Sequence, residues 1–153
     1  MNDNVIASEK FDSQLRRTLV ALLDTMIPAN DEFDAPSAGT DDIVSDVVQS
    51  MSGDAPTVVG EMLTRLNEKS SARFEDLDTT ARWHAFTELQ RTEGYALRTL
   101  SGVLLQCYYR NDQVLESLGM EARSPFPLGN EVEQGDWSLL DPVKARDPFY
   151  REV

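Results

Sequence analysis

The chain has 153 residues, of which 41% are hydrophobic and 27% charged, and its formal net charge is −13. These proportions are typical of one globular domain and exclude wholesale disorder. The negative charge repels phosphate backbones and anionic lipid surfaces, so we expect no nucleic-acid partner. A basic protein surface fits the charge better, although the same charge also serves solubility alone.

The contents of cysteine and histidine exclude several kinds of site. Cys107 and His84 are the only residues of their types. An intrachain disulfide, a CxxC pair, a CxxCH haem attachment, a Cys/His zinc site and a di-iron bundle site therefore cannot be built. No apolar run approaches the roughly 20 residues that span a bilayer, so we expect no direct membrane insertion.

The first predicted helix spans residues 13–27, is capped by Ser13 and ends before a proline. Arg16 and Arg17 precede a short apolar run, which is the order found in a twin-arginine export signal. Asp24 interrupts that run and no A-x-A cleavage site follows, so we interpret the pair as surface residues of a core helix. Five apolar residues predict its buried face: Leu15, Leu19, Leu22, Leu23 and Met26.

A polar loop, residues 28–39, leads to a second helix with Thr40 as its N-cap and Gly53 as its end. Its predicted buried residues are Ile43, Val44, Val47, Val48 and Met51. Pro56 opens a third helix that reaches about residue 71. The predicted buried residues of this helix are Val58, Val59, Met62, Leu63 and Leu66.

Asp78 or Thr79 caps a fourth helix, in which Trp83, Phe86 and Leu89 are predicted to face inward. Gly94 either separates this helix from a fifth, residues 95–108, or lies inside one longer helix. The fifth stripe is the most apolar, which predicts the central helix: Leu97, Leu100, Val103, Leu104, Cys107 and Tyr108. A short helix over residues 112–118 follows, closed by a glycine.

The sequence changes character from Glu121 onward. Prolines and glycines make a helix improbable over most of residues 121–153, yet aromatic residues recur there. Because disordered tails are poor in aromatics, we expect an extended arm that lies on this domain's own helices or on another chain. The predicted fold is all-α: a small bundle of about five helices over residues 1–120 with a long extended, Pro-rich C-terminal arm over 121–153.

The sequence contains no recognisable catalytic motif. His84 lies in a helical stretch without a nucleophile to activate, and Cys107 is interpreted as a small core residue. The acidic loop fails the EF-hand pattern because the sixth and twelfth positions counted from Asn30 are Ala35 and Asp41. There is no GxGxxG and no Walker loop to hold a nucleotide or a flavin. We therefore expect no catalytic, metal or cofactor-binding residue.

The remaining functional candidates are residues of the types that dominate protein interfaces. Tyr, Trp, Phe and Arg are enriched at interface hot spots, and the C-terminal arm carries several of them. The predicted partner-binding residues are Tyr109, Phe126, Trp137, Leu139, Leu140, Phe149, Tyr150 and Arg151.

Two groups of segments carry a family resemblance. The first is residues 19–28 (LVALLDTMIP), followed by an acidic loop and residues 35–39 (APSAG). The second is residues 108–112 (YYRND), Val114, Leu118-Gly119, residues 125–129 (PFPLG), residues 139–143 (LLDPV) and Tyr150-Arg151. Together they resemble the gluconate 2-dehydrogenase subunit 3 family over roughly residues 15–151, although the middle helices match only in apolar pattern.

The resemblance implies a small companion subunit of a sugar or sugar-acid dehydrogenase, of gluconate 2-dehydrogenase or glucoside 3-dehydrogenase type. The large partner in that family is a flavoprotein of the glucose-methanol-choline (GMC) type, which holds FAD and oxidises the substrate. Some complexes add a multihaem cytochrome c subunit, which is a further partner to expect here. The small subunit supplies no cofactor ligand and supports folding, stability or export of the large one.

Several family members begin with a twin-arginine signal, and this chain departs from them because its arginine pair is interpreted as part of a helix. We therefore expect a cytoplasmic complex, or a periplasmic one exported by a signal-bearing partner. The alternative function is a free-standing acidic all-α binding module, an adaptor or inhibitor that uses its charge against a basic target. An enzyme that uses carboxylates alone is a third reading.

Overall fold

The computed structural model describes residues 11–69, 72–123, 126–127, 129 and 133–147. The described residues form α-helices and 3₁₀ turns and contain no β-strand, which confirms the predicted all-α class. The α-helices are α1 Ser13–Met26, α2 Asp41–Ser50, α3 Ala55–Lys69, α4 Thr79–Thr92, α5 Gly94–Tyr108, α6 Asp112–Ser117 and α7 Asp141–Lys144. The 3₁₀ turns are Phe74–Asp76 and Trp137–Leu140.

The N-cap of helix α1 lies one residue earlier than the sequence predicts. Asp12 is the N-cap, and its side chain accepts a hydrogen bond from the backbone N–H of Leu15, so Ser13 is the first helical residue. A carboxylate at this position also favours the helix dipole. Arg16 and Arg17 lie on this helix, half-buried and exposed respectively, as the interpretation of that pair expects. The buried face contains Leu19, Leu22 and Leu23.

Helix α2 buries its predicted stripe, and α3 buries its own except Val58, which is half-buried. Thr40 occupies the N-cap position of α2, but its side chain makes no capping hydrogen bond. Asp41 and Asp42 in the first turn supply the favourable interaction with the helix dipole. Gly53 adopts a positive φ of 62° in the turn before α3, a conformation that other residues rarely adopt.

Helix α4 ends at Thr92 and α5 begins at Gly94, so the two are separate helices. Helix α5 packs against α2, α3 and α4, as expected of a central helix. Helix α1 packs against the same three helices, so the central position is shared. Their common core is one cluster of buried apolar side chains, from Phe11 to Val114.

Trp83 does not face inward as predicted, because 57% of it is exposed. Arg82 lies four and seven residues before Phe86 and Leu89, so these three share one helix face. The Arg82 guanidinium donates a hydrogen bond from that face to the backbone carbonyl of Glu75. Trp83 is one helical step away from this face, and its ring meets Phe86 only at the edge of the core, with centroids 5.7 Å apart.

A buried polar network joins the 3₁₀ turn Phe74–Asp76 to the bundle. Thr18 is fully buried, and its hydroxyl donates to a carboxylate oxygen of Glu75 at 3.0 Å. Asn67 donates to the same hydroxyl at 2.8 Å and accepts from the backbone N–H of Phe74 at 3.1 Å. These bonds satisfy polar groups that would otherwise destabilise the core.

The chain divides into two compact units, Met1–Arg123 and Ser124–Val153. In the second unit the turn Trp137–Leu140 runs directly into α7. This stretch is therefore helical where the sequence predicts an extended arm. Asp136 caps the turn by accepting the N–H of Ser138. Pro142 sits at the start of α7, where a missing N–H costs nothing, so its presence does not prevent helix formation.

Candidate functional site

An exposed phenylalanine marks the loop between α1 and α2. Asn30 and Ala35 exchange two backbone hydrogen bonds of 2.9 and 3.0 Å, which close a tight loop. The Asn30 side chain accepts the N–H of Glu32, and Asp34 adopts a positive φ of 51°. Asp tolerates this conformation better than most residues. The closed loop presents Phe33, which is 59% exposed.

The end of α5 holds this loop in place and adds a second exposed ring. The buried hydroxyl of Tyr108 donates to the backbone carbonyl of Pro36 at 2.9 Å. Burial raises the pKa of Tyr108, so the phenol stays protonated as a donor at neutral pH. Tyr109 packs edge-on against Tyr108, with ring centroids 5.4 Å apart, and is 55% exposed.

Helix α6 completes the apolar surface. Asn111 caps it, and Val114 is its buried residue. Gly119, with φ 73°, lets the chain turn back so that Met120 N–H bonds to the carbonyl of Leu115 at 2.9 Å. This C-cap leaves Leu118 and Met120 each 55% exposed.

These elements enclose a cleft of about 360 Å³, which we call the Phe33–Tyr109 cleft. It lies between the loop after α1, the end of α5 and helix α6, and its lining includes Pro28, Phe33, Tyr108, Tyr109, Val114 and Leu118. Apolar side chains supply most of the wall. A cleft of this kind suits a bulky apolar side chain of a binding partner.

A second cleft of about 420 Å³ adjoins the first, and Pro28 lines both. Its wall includes Met26, Arg82 and the exposed Trp83. We call the two clefts together the apolar band. Large exposed apolar patches are uncommon on monomeric proteins, so the apolar band is the candidate functional site of the bundle.

Arg82 lies at the base of the second cleft and is held by oxygen acceptors. One of its terminal nitrogens donates to the Glu75 carbonyl, and the other lies 3.9 Å from a carboxylate oxygen of Asp24. Its Nε is buried and has no hydrogen-bond partner among the described residues. The side chain is still one-quarter exposed, so we interpret Arg82 as a support of α4 against the 3₁₀ turn.

A polar cleft of about 590 Å³ on another part of the bundle contains Cys107, Arg110 and Asp46. Arg110 donates to the Asp46 carboxylate through Nε at 2.7 Å and also through a terminal nitrogen. This pairing holds the pKa of Asp46 below its ordinary value, against partial burial, which raises it. Burial raises the pKa of the Cys107 thiol. A protonated, buried thiol is a poor nucleophile. We therefore interpret this cleft as the place of a structural ion pair.

Titratable groups suited to metal binding are not clustered in the described part of the chain: no three His, Cys, Asp or Glu side chains come together there. His84 is exposed on α4. Within the same described residues, no helix is both long and apolar enough to cross a membrane.

The predicted partner-binding residues fall into three groups. Tyr109 lies in the Phe33–Tyr109 cleft. Trp137, Leu139 and Leu140 come together in one 3₁₀ turn of the second unit, where they are 66%, 75% and 41% exposed. Phe126 is 87% exposed in the same unit. The rest lie outside the described residues: Phe149, Tyr150 and Arg151.

Sequence reasoning missed three exposed apolar residues of the band: Phe33, Leu118 and Trp83. One signal could have found Phe33. A phenylalanine inside the polar segment of residues 28–39 has no periodic stripe to join, so it points to exposure for binding. No such signal marks Leu118, because it directly follows the short helix α6 and has the spacing of a residue on that helix's own apolar face.

No protein-family model, no curated protein and no solved structure matches this chain.

Proposed function

We propose that this chain is a non-catalytic accessory subunit that binds and stabilises a large FAD-dependent sugar or glucoside dehydrogenase of the GMC type. The apolar band on a small helical bundle is the observation that carries the proposal. It exposes Trp83, Phe33, Tyr109 and Leu118 to solvent, and burying such residues in an interface is favourable. The family resemblance described above supplies the identity of the partner.

The expected interface is large. Obligate subunits bury about 2,000 Å² or more, which requires more than one cleft. The apolar band and the turn Trp137–Leu140 in the second unit each provide exposed apolar side chains for it. In this account FAD and the reacting sugar belong to the large subunit, while this chain contributes surface alone.

Co-expression with a flavoprotein encoded beside this chain tests the proposal. Purification through a tag on the small chain is expected to yield a yellow complex with equal amounts of both subunits and sugar-oxidising activity. Expression of the flavoprotein alone is the matched control and is expected to give less folded, flavin-loaded protein. A colourless, stable monomer from the co-expression would contradict the proposal.

A free-standing acidic binding module is the second candidate, and the net charge of −13 favours it. Ionic strength separates the two functions. Binding that depends on charge weakens steeply as salt is added, whereas an apolar obligate interface responds little. The complex is therefore expected to survive gel filtration in high salt if this chain is an accessory subunit.

A further inference from the structure

We infer that the Phe33–Tyr109 cleft receives a partner segment in which a bulky apolar side chain is flanked by lysines or arginines. The inference rests on the proposed function, because it names the chemistry of the segment that the partner would contribute. Three properties of the cleft carry it: its apolar wall, its preformed loop and the charge of its rim.

The loop that carries Phe33 is ordered by its own hydrogen bonds. The Asn30–Ala35 pair closes it, and the bond from Tyr108 to the Pro36 carbonyl fixes it to α5. An exposed aromatic ring on a fixed loop loses little freedom on binding, which favours affinity.

Four exposed carboxylates lie beside residues that line the cleft: Asp31, Glu32 and Asp34 in the loop that carries Phe33, and Glu116 next to Ser117. We call these four residues the acidic rim. Within the described part of the chain, none of the four forms a salt bridge.

Some carboxylates elsewhere on the bundle are paired with arginines. Arg65 pairs with Glu61 and Glu93, and Arg110 pairs with Asp46. The acidic rim therefore places negative charge beside an apolar cleft. Complementary potential attracts a basic segment and sets its register.

The same charge argues against other occupants. A second copy of this chain would bring two acidic rims together, and like charges facing one another cost binding energy. Anionic lipid and nucleic acid are repelled for the same reason. A segment of a partner protein with basic residues around an apolar anchor meets both the wall and the rim.

The test uses the full chain labelled with ¹⁵N and a short synthetic peptide with a central Leu-Trp pair flanked by lysines. Titration is expected to shift backbone amide signals in residues 30–35 and 108–118. Matched peptides with glutamates in place of lysines, or serines in place of Leu-Trp, are expected to bind at least tenfold more weakly, which is about 1.4 kcal/mol.

Variants of the chain locate the site. Phe33→Ser and Leu118→Ser are expected to weaken binding of the lysine peptide about tenfold, whereas Tyr95→Ser, which removes an exposed ring outside the cleft, is expected to leave it unchanged. Glu32→Gln is expected to weaken binding and to flatten its salt dependence. Glu68→Gln removes an exposed carboxylate on α3 and is the matched control.

Several results would overturn the inference: no shifts at the cleft, shifts confined to another surface, equal binding of the glutamate peptide, or dimerisation through the cleft without peptide. The experiment needs no flavoprotein, so these results leave the co-expression test of the accessory-subunit proposal intact. Peptide binding at the cleft together with a colourless co-expression product would instead contradict the proposed function while keeping the binding site.

Discussion

Tyr108 links the core of the bundle to the loop that presents Phe33. Its ring is buried, and its hydroxyl supplies the hydrogen bond that the buried Pro36 carbonyl requires. A buried carbonyl without a donor lowers the free energy of unfolding by more than an average hydrogen bond raises it, because the carbonyl has also lost its hydrogen bond to water. One phenol therefore contributes both to stability and to the geometry of the cleft.

Tyr108→Phe is expected to lower the free energy of unfolding by about 1–2 kcal/mol. Urea denaturation followed by circular dichroism measures the change. Tyr95→Phe is the matched control, since Tyr95 is 67% exposed and its hydroxyl lies 3.5 Å from Asp54. Equal effects of the two substitutions would show that the Pro36 contact does not stabilise the loop.

The Asp46–Arg110 pair makes stability depend on pH in a defined direction. The hydrogen bonds from Arg110 hold the pKa of Asp46 below its unfolded value. A carboxyl of this kind stabilises the fold above its unfolded pKa, about 3.9, and loses that contribution as the pH falls through its folded pKa.

Asp46→Asn is therefore expected to destabilise the chain at pH 7 and to have little effect at a pH below the folded pKa of Asp46. Free energies of unfolding measured for both proteins across this range check the prediction. A difference that stays constant with pH would contradict the assigned role of the ion pair.

At the scale of elements, hydrophobic periodicity predicts which segments are helices, but it does not predict what each helix face contacts. The stripe Leu97, Leu100 and Leu104 predicts α5 because three- and four-residue spacing aligns these side chains on one face. Trp83 was placed inward on the same rule, but Arg82 occupies the inward position of α4. Tertiary hydrogen bonding decides this choice, and a single helix's pattern does not contain it.

The candidate site divides in the same way. Tyr109 could be selected from residue type and resemblance, because aromatic rings dominate interfaces. The apolar band could not be, since Phe33, Trp83 and Leu118 lie far apart in sequence. Packing of the fold brings Phe33 and Leu118 to one cleft and Trp83 to the cleft that shares Pro28 with it. The acidic rim is visible in the sequence, whereas its lack of basic partners requires the fold.

The docking of the 3₁₀ turn Phe74–Asp76 depends on Thr18. Thr18→Val keeps the shape of this buried side chain but leaves Asn67 and Glu75 without their shared partner. The free energy of unfolding is expected to fall by about 1–3 kcal/mol. Thr64→Val is the matched control on α3, because the Thr64 hydroxyl is exposed and bonds only within its helix. A smaller loss at Thr18 than at Thr64 would refute this role of the network.

At the scale of the whole molecule, folding and binding separate along the chain. The buried apolar residues of the described chain all lie between Phe11 and Val114, inside the unit Met1–Arg123. The second unit contributes exposed side chains in the turn Trp137–Leu140. Removal of the second unit should therefore affect binding more than stability.

A chain that lacks residues 121–153 is expected to keep its helical circular dichroism and its cooperative unfolding. The same truncation is expected to abolish complex formation with the flavoprotein. Thermal unfolding and co-purification, measured on the same preparations, check the two halves of the prediction. A truncated chain that still binds at full affinity would exclude the arm from the interface.

We propose that this chain stabilises a flavoprotein by binding it through exposed apolar surface. Co-expression of the tagged chain with the flavoprotein encoded beside it, followed by the flavin absorbance of the purified product, tests this most directly. We expect a yellow, stoichiometric, sugar-oxidising complex that resists high salt. A colourless monomer would contradict it and favour the free-standing acidic module.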